Sequence, residues 1–245
     1  MLVLLNRIIL TIFISVVSFS AFSEEMNTNY LKTDWSFKGI FGTFDRASLQ
    51  RGYQVYQEVC SGCHSVQHLS YRNLSEKGGP EFSIEEAKAI AAQFEVEDGP
   101  NSDGEMFMRP GRLSDKFVKP YPNVEASTAA NGGAYPPDMS VLAKARAGGA
   151  DYIYSLLLGY EEAPTSFELD EGVYYNKYMP GNKIKMSPPL SDGLVEYSDG
   201  TQATTAQMAK DVTTFLVWAS EPHLESQHRM GFKAIIYLII LLTLV

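Results

Sequence analysis

Cysteine and histidine are scarce in these 245 residues, two of the first and four of the second. Two thiols exclude a disulfide-stapled scaffold and a four-cysteine zinc site. Positive charge is short as well, with 20 Lys and Arg against 29 Asp and Glu and a formal charge of −9. Phosphate backbones are bound by clustered Lys and Arg, so this balance argues against nucleic acid and points to a basic protein partner. Alternating strands are rare, and Gly172 to Tyr178 is the one fair candidate. Apolar residues make up 45% of the chain and charged residues 20%, which excludes a disordered chain. The length suits one ordinary domain with appendages. Long hydrophobic runs occur only at the two ends.

The first end, Met1 to Ser23, has one cation at Arg7, an apolar run from Ile8 to Val17, and small residues Ala21 and Ser23 before Glu24. That is the plan of a secretory signal cleaved after Ser23, with an uncleaved anchor as the alternative. The other end runs apolar from Ala234 to Val245, preceded by Arg229 and Lys233. Counted from Gly231 it holds 15 residues, about 22 Å of helix against a hydrocarbon core of ~30 Å. We read residues 229–245 as part of a membrane anchor that is incomplete as written. A buried helix is the alternative, but after Lys233 only Tyr237 and Thr243 offer a polar side. Residues 24–228 then form one export-side domain.

Within that domain the apolar spacing predicts helices at Ser48 to Cys60, Ser83 to Phe94, Ser140 to Leu158 and Thr205 to Ala219. Ser83 and Glu86 form a capping-box pattern, and Gly148-Gly149 marks a break in the third helix. Pro and Gly cluster from Gly99 to Gly133 and from Met179 to Gly193. Long ordered loops of this kind usually carry function. The fold class expected from these elements is mainly α, with long loop insertions and one C-terminal transmembrane helix.

Cys60-Ser61-Gly62-Cys63-His64 is the strongest signal in the chain. In C-x-x-C-H the two thiols lie one helical turn apart, where both can bond the vinyl groups of one haem, and the next residue offers an imidazole to the iron. A thioredoxin-like dithiol is the first alternative, without a βαβ context to support it. Half of a zinc site is the second, without another ligand pair. His68 is a rival ligand by spacing, with solvent exposure the simpler reading. Electron-transfer haems take a sixth ligand, commonly His or Met, and Met raises the potential. His223 and His228 lie beside the apolar end. Among nine methionines, Met208 falls on an apolar helix face, Met106 and Met108 flank a loop, and Met139 begins a helix. Met186 lies in the proline-stiffened run Lys185-Met186-Ser187-Pro188-Pro189-Leu190 and is one candidate among these.

Further stretches appear in a fixed order around that motif: Arg51-Gly52 to His64; Asp98-Gly99-Pro100-Asn101 to Gly111; Ala130-Asn131 to Ser140; Asp151-Tyr152 to Tyr160; Tyr178-Met179-Pro180-Gly181 to Leu190; and Ala209-Lys210-Asp211-Val212 to Gly231. Together they resemble the cytochrome c1 family, the haem subunits of ubiquinol-cytochrome c oxidoreductase (complex III), over essentially the whole chain. The resemblance implies a cytochrome c-type haem domain with one covalently attached haem c, Cys60 and Cys63 as its attachment points, His64 as the proximal ligand and Met186 as the distal one. It implies electron entry from the Rieske iron-sulfur protein, exit to cytochrome c, and assembly with cytochrome b. The chain would then be an electron-transfer subunit rather than a stand-alone enzyme. Two positions depart from the family pattern. Thr128 stands where an arginine resembling a haem-propionate partner is usual, with Arg109 and Arg112 as replacements to consider. Lys185 stands where a small residue usually precedes the distal methionine, facing either the haem pocket or solvent.

Eight acids from Glu81 to Glu105 face only Lys88 in the same stretch, and Glu161, Glu162, Glu168, Asp170 and Glu171 form a second run. Such clusters steer a basic partner by long-range attraction, unless they are an ordinary solvated surface. The signal places the domain on the periplasmic side of a bacterial inner membrane in preference to the mitochondrial one. A membrane-anchored cytochrome that feeds a terminal oxidase directly is the alternative function. A haem-based sensor without a methionine ligand is a further one.

Overall fold

The computed structural model describes residues 29–244. The expected signal, residues 1–23, lies outside the described residues. Helices dominate: α1 (Arg46–Val55), α2 (Ile84–Ala91), α3 (Val124–Ala130), α4 (Leu142–Ala145), α5 (Ala150–Leu158), α6 (Thr205–Ser220) and α7 (Leu224–Leu244). Two short antiparallel pairs complete the elements, β1 (Glu95–Asp98) with β2 (Phe107–Pro110) and β3 (Tyr174–Tyr175) with β4 (Lys183–Ile184). This is the mainly α domain with long loops that the sequence predicts.

The centre is the crossing of α1 and α6. The Asp45 carboxylate caps α1 by accepting from the Ala47 amide at 3.0 Å, and the Thr204 hydroxyl caps α6 through the Gln207 amide at 3.2 Å. Gly52 sits at the contact, where a Cβ would fall 2.1 Å from the Asp211 carbonyl oxygen, so only glycine lets the two backbones approach. Around the crossing, Tyr53 and Tyr56 pack on Phe215 at 5.8 and 5.4 Å, and Tyr71 stacks on Phe117 at 4.9 Å. These rings are buried and pack at the centre of the core.

The predicted elements hold with shifted ends. The first helix begins at Arg46, and its last predicted turn, Tyr56–Cys60, widens into a π turn. The Ser83–Glu86 capping box forms in both directions, at 3.1 and 2.8 Å. The third helix breaks at Gly148 and Gly149, both at positive φ, into α4 and α5. The strand expected over Gly172 to Tyr178 shrinks to Tyr174–Tyr175. The β1–β2 hairpin and α3, capped by Asn123 through the Ala126 amide at 2.8 Å, add to the predicted set. At the C-terminal side the helix starts at Leu224, five residues before the expected anchor. Its first turn belongs to the domain: Glu225 is buried, accepts the Arg46 guanidinium at 2.7 and 2.9 Å, and accepts the Phe44 amide at 2.9 Å. α7 is 21 residues long and apolar enough to cross a membrane.

Candidate haem site

The π turn ending at Cys60 sets the motif. Its wider ring is closed by Ser61 N to Tyr56 O at 2.8 Å, and the next turn by Cys63 N and His64 N to Cys60 O at 3.1 and 2.9 Å. π turns recur at functional sites because the extra residue re-aims the side chains that follow. Cys60 and Cys63 thus share one turn at the end of α1, Cys60 half-buried and Cys63 exposed. Burial pushes the Cys60 thiol up to about 12, with Cys63 adding to the shift. A nucleophilic dithiol needs a lowered pKa, so this environment counts against the thioredoxin-like reading.

His64 is oriented from behind. Its Nδ1 lies 2.9 Å from the Pro137 carbonyl oxygen, which can only accept. The proton therefore sits on Nδ1, and Nε2 keeps its lone pair for a metal. Burial lowers the His64 pKa, which keeps the ring neutral. The carbonyl is itself held in place, because residues 137–140 are stitched to residues 64–68 on both sides of it. Asp138 accepts from the Ser65 hydroxyl at 2.7 Å and the Gln67 amide at 3.1 Å, Met139 N donates to Ser65 O at 2.8 Å, and His68 N donates to the Ser140 hydroxyl at 3.1 Å. Burial opposes ionisation of Asp138, but the hydroxyl and amide donors of Ser140, Ser65 and Gln67 outweigh it and hold its pKa below the usual aspartate value. Asp138 is the positioning residue that motif reading passed over. Its signal was the Asp-x-Ser spacing ahead of a helix, a local capping pattern.

Met186 lies on the segment after β4. Of the other described methionines, Met208 and Met139 are in the core, Met106, Met108 and Met230 are exposed, and the Met179 sulfur lies 4.0 Å from the Tyr152 hydroxyl. Met186 is half-buried, and its carbonyl accepts the Tyr160 hydroxyl at 3.0 Å. Its segment is fastened to the end of α5 by Asn176, which is fully buried, donates to Leu156 O at 2.7 Å and accepts from Tyr178 N at 3.0 Å. A hollow of about 550 Å³ lined by Leu157, Tyr160, Pro188 and Leu190 flanks this segment.

The segment behind His64 also meets the methionine loop. The Lys185 ammonium donates to Gly132 O at 3.0 Å, so the side chain left open between pocket and solvent reaches the stretch that ends at Pro137. Arg109 is not available as a replacement for the arginine missing at Thr128, because its fork is filled by Asp98 and by Asp115 at 2.6 and 3.0 Å. Arg112 leans on the same Asp98 at 3.8 Å. The His68 ring is exposed, and His228, on α7, donates its Nδ1–H to Gly42 O at 3.1 Å. Among the described residues no cluster of three or more His, Cys, Asp or Glu side chains could hold a metal ion, which leaves the half zinc site without support.

A helical domain with two thiols and a carbonyl-oriented imidazole on one turn, beside a helix long enough to cross a membrane, defines a membrane-anchored c-type cytochrome. Residues 35–245 match the family described as Cytochrome C1 family. Curated relatives include "Cytochrome c1-2, heme protein, mitochondrial" of Solanum tuberosum, 53% identical over 83% of this chain and 77% of that protein. "Cytochrome c1" of Rhodospirillum rubrum is 46% identical over 89% of this chain and 85% of that protein. "Cytochrome b/c1" of Bradyrhizobium diazoefficiens is 49% identical over 84% of this chain, which spans 33% of that longer protein. The chain belongs to the cytochrome c1 family. It is a haem protein of electron transport with one covalently attached haem c. The donor set fits that group: two thiols for thioether attachment, one imidazole with Nε2 free, and a half-buried thioether.

Proposed function

We propose that this chain is the monohaem electron-transfer subunit of a cytochrome bc1 complex. Cys60 and Cys63 attach the haem, His64 is its proximal ligand and Met186 its distal one. The single observation that supports the His64 assignment is the Nδ1 contact with Pro137 O at 2.9 Å, since it leaves the Nε2 lone pair free to bind a metal. When bound, the haem supplies one-electron cycling between ferric and ferrous iron. The chain's own work is to hold the Nδ1 proton against Pro137, to present the Met186 sulfur from a loop tied at Tyr160 and Asn176, and to keep water from the buried side of Cys60.

Electrons enter from the Rieske iron-sulfur protein and leave to cytochrome c, with cytochrome b as the membrane partner. The names "Cytochrome b/c1" and "Cytochrome b-c1 complex catalytic subunit" among the relatives support the cytochrome b part of this reading. The domain faces the periplasm, and α7 anchors it in the bacterial inner membrane. The alternative, an anchored cytochrome feeding a terminal oxidase, predicts purification without cytochrome b or the Rieske protein.

A haem stain on a denaturing gel and a reduced-minus-oxidised spectrum test the assignment. The stain should be positive in the wild type and lost in the Cys60→Ala, Cys63→Ala double variant. Met186→Leu should abolish the methionine–iron charge-transfer band and lower the midpoint potential by on the order of a hundred millivolts, a fraction of the ~0.8 V that axial ligands span. An unchanged band and potential would assign the ligand elsewhere.

A further inference from the structure

Between Trp35 and Phe44 the chain makes a turn with buried feet and a bare crown. Trp35, Phe37 and Phe44 are 3%, 6% and 4% exposed, whereas Ile40 and Phe41 are each 72% exposed. The crown is nonetheless rigidly built. Lys38 N donates to Trp35 O at 3.1 Å, Gly42 N to Gly39 O at 3.0 Å and Thr43 N to Ser36 O at 3.0 Å. Gly39 has φ +85°, and a Cβ on Gly42 would lie 2.2 Å from the Phe37 carbonyl oxygen, so both glycines are needed to fold the turn this tightly. Two large apolar side chains are therefore held out into the surroundings by a fixed frame.

That frame rests against the root of α7. The Phe41 ring meets Phe232 edge-on at 5.8 Å, and Gly42 O lies 3.1 Å from His228 Nδ1. Phe232 stands between the last two cations of the helix, Arg229 and Lys233, just ahead of the uncharged run that begins at Ala234. Cations and aromatic rings in that position mark the passage from lipid headgroups to hydrocarbon. The cations flanking the turn in sequence are drawn away from it, Lys32 and Lys38 to Asp151 at 3.2 Å and Arg46 to Glu81 and Glu225 at 2.9 and 2.7 Å, which leaves the crown uncharged. Ile40 and Phe41 thus continue the apolar surface of α7 sideways at one depth.

We propose that the turn Gly39–Gly42 is a second membrane contact, with Ile40 and Phe41 seated at the boundary between headgroups and acyl chains of the leaflet on the domain's side. The occupant is lipid, because the crown is continuous with the lipid-facing surface of a helix of membrane length and lies at the level where that helix loses its charges. A single helix leaves a domain free to swivel, and a second contact point sets its tilt and its distance from the bilayer. The inference rests on the reading of α7 as a span, and the test keeps the two apart.

The experiment is spin-label depth measurement on the ferrous holoprotein in phosphatidylcholine–phosphatidylglycerol vesicles. Both native thiols are bound to haem, so a cysteine introduced by Ile40→Cys takes the label alone. Ile239→Cys on α7 and Glu162→Cys on the domain surface are the references. An unchanged haem spectrum reports that each variant is folded. The Ile40 label should show an oxygen-to-nickel relaxation ratio several-fold above the Glu162 label, and shallower than the Ile239 label. If the Ile239 label reads deep and the Ile40 label reads as watery as Glu162, the turn is not a membrane contact while the anchor stands. If Ile239 also reads watery, the anchor itself fails. An Ile40 label shut off from both oxygen and nickel in the assembled complex would mean that protein covers the crown, and would overturn the lipid assignment.

Discussion

Met186 is held at its backbone. The Tyr160 hydroxyl donates to Met186 O at 3.0 Å, from a residue just beyond the end of α5. Tyr160→Phe removes that bond, worth about 1 kcal/mol, while keeping the ring. The methionine–iron band should then disappear at a lower denaturant concentration than in the wild type, with the resting spectrum unchanged. Identical band-loss curves would remove Tyr160 from the set of positioning residues. At this scale the C-x-x-C-H motif was legible because its residues are neighbours in the chain. Pro137, Asp138 and Tyr160 were not, because each acts through a backbone atom or a contact between segments far apart in sequence. For Lys185, the sequence left pocket and solvent equally open, and the bond to Gly132 O shows where the side chain goes.

Among the elements, α1 and α6 form the centre of the core, and the C-x-x-C-H motif follows directly from the end of α1. Their crossing is locked by Arg51, whose guanidinium meets the fully buried Asp211 at 2.9 and 3.1 Å and Asp199 at 2.7 Å. Breaking a buried pair by removing one partner costs about 3–5 kcal/mol because the other charge is left unpaired. Asp211→Ala should therefore lower stability by that order in a denaturant titration of the holoprotein. A loss below about 1 kcal/mol would show that water or Asp199 satisfies Arg51 instead. The four long helices were legible from apolar periodicity and caps, down to the glycine break between α4 and α5. The β1–β2 hairpin was not, since Glu95-Val96-Glu97-Asp98 has poor strand propensity. It forms because Arg109 on β2 bonds Asp98 on β1 and Asp115 beyond it. The same contacts answer the question of Arg109 as a haem partner, because its donors are already used.

For the whole molecule, charge is the property that reaches beyond the fold. Some of the acids in the Glu81 to Glu105 run are tied down: Glu81 pairs with Arg46, Glu86 caps α2, and Asp98 holds Arg109. Glu85, Glu95, Glu97, Asp103 and Glu105 remain exposed and supply a smaller field than the raw count suggests. Association with a basic cytochrome c should slow when ionic strength is doubled, and a rate indifferent to salt would remove these acids from any steering role. Acid stability has a separate source. Burial opposes ionisation of Asp151, but the Trp35 indole at 2.6 Å and the Lys38 and Lys32 ammonium groups outweigh it and hold its pKa below the ordinary 3.8. A depressed folded pKa gives stability that is complete above the unfolded value and is lost as pH falls through the folded one. Melting temperature should therefore fall as pH drops below about 4, and Asp151→Asn should flatten that limb. Parallel curves for variant and wild type would assign the acid limb to other carboxylates. By itself the sequence determined the haem chemistry, the helical class, the acidic balance and the apolar run of the last helix, all of which reside in local spacing or in composition. Only the tertiary structure decided which carbonyl orients His64, which hydroxyl bonds the Met186 backbone, that the last helix begins inside the domain at Leu224, and that Phe41 packs against Phe232 at its root. The physical reason is that those outcomes depend on backbone atoms and side chains brought together across long stretches of chain, where no residue type or spacing announces the partner.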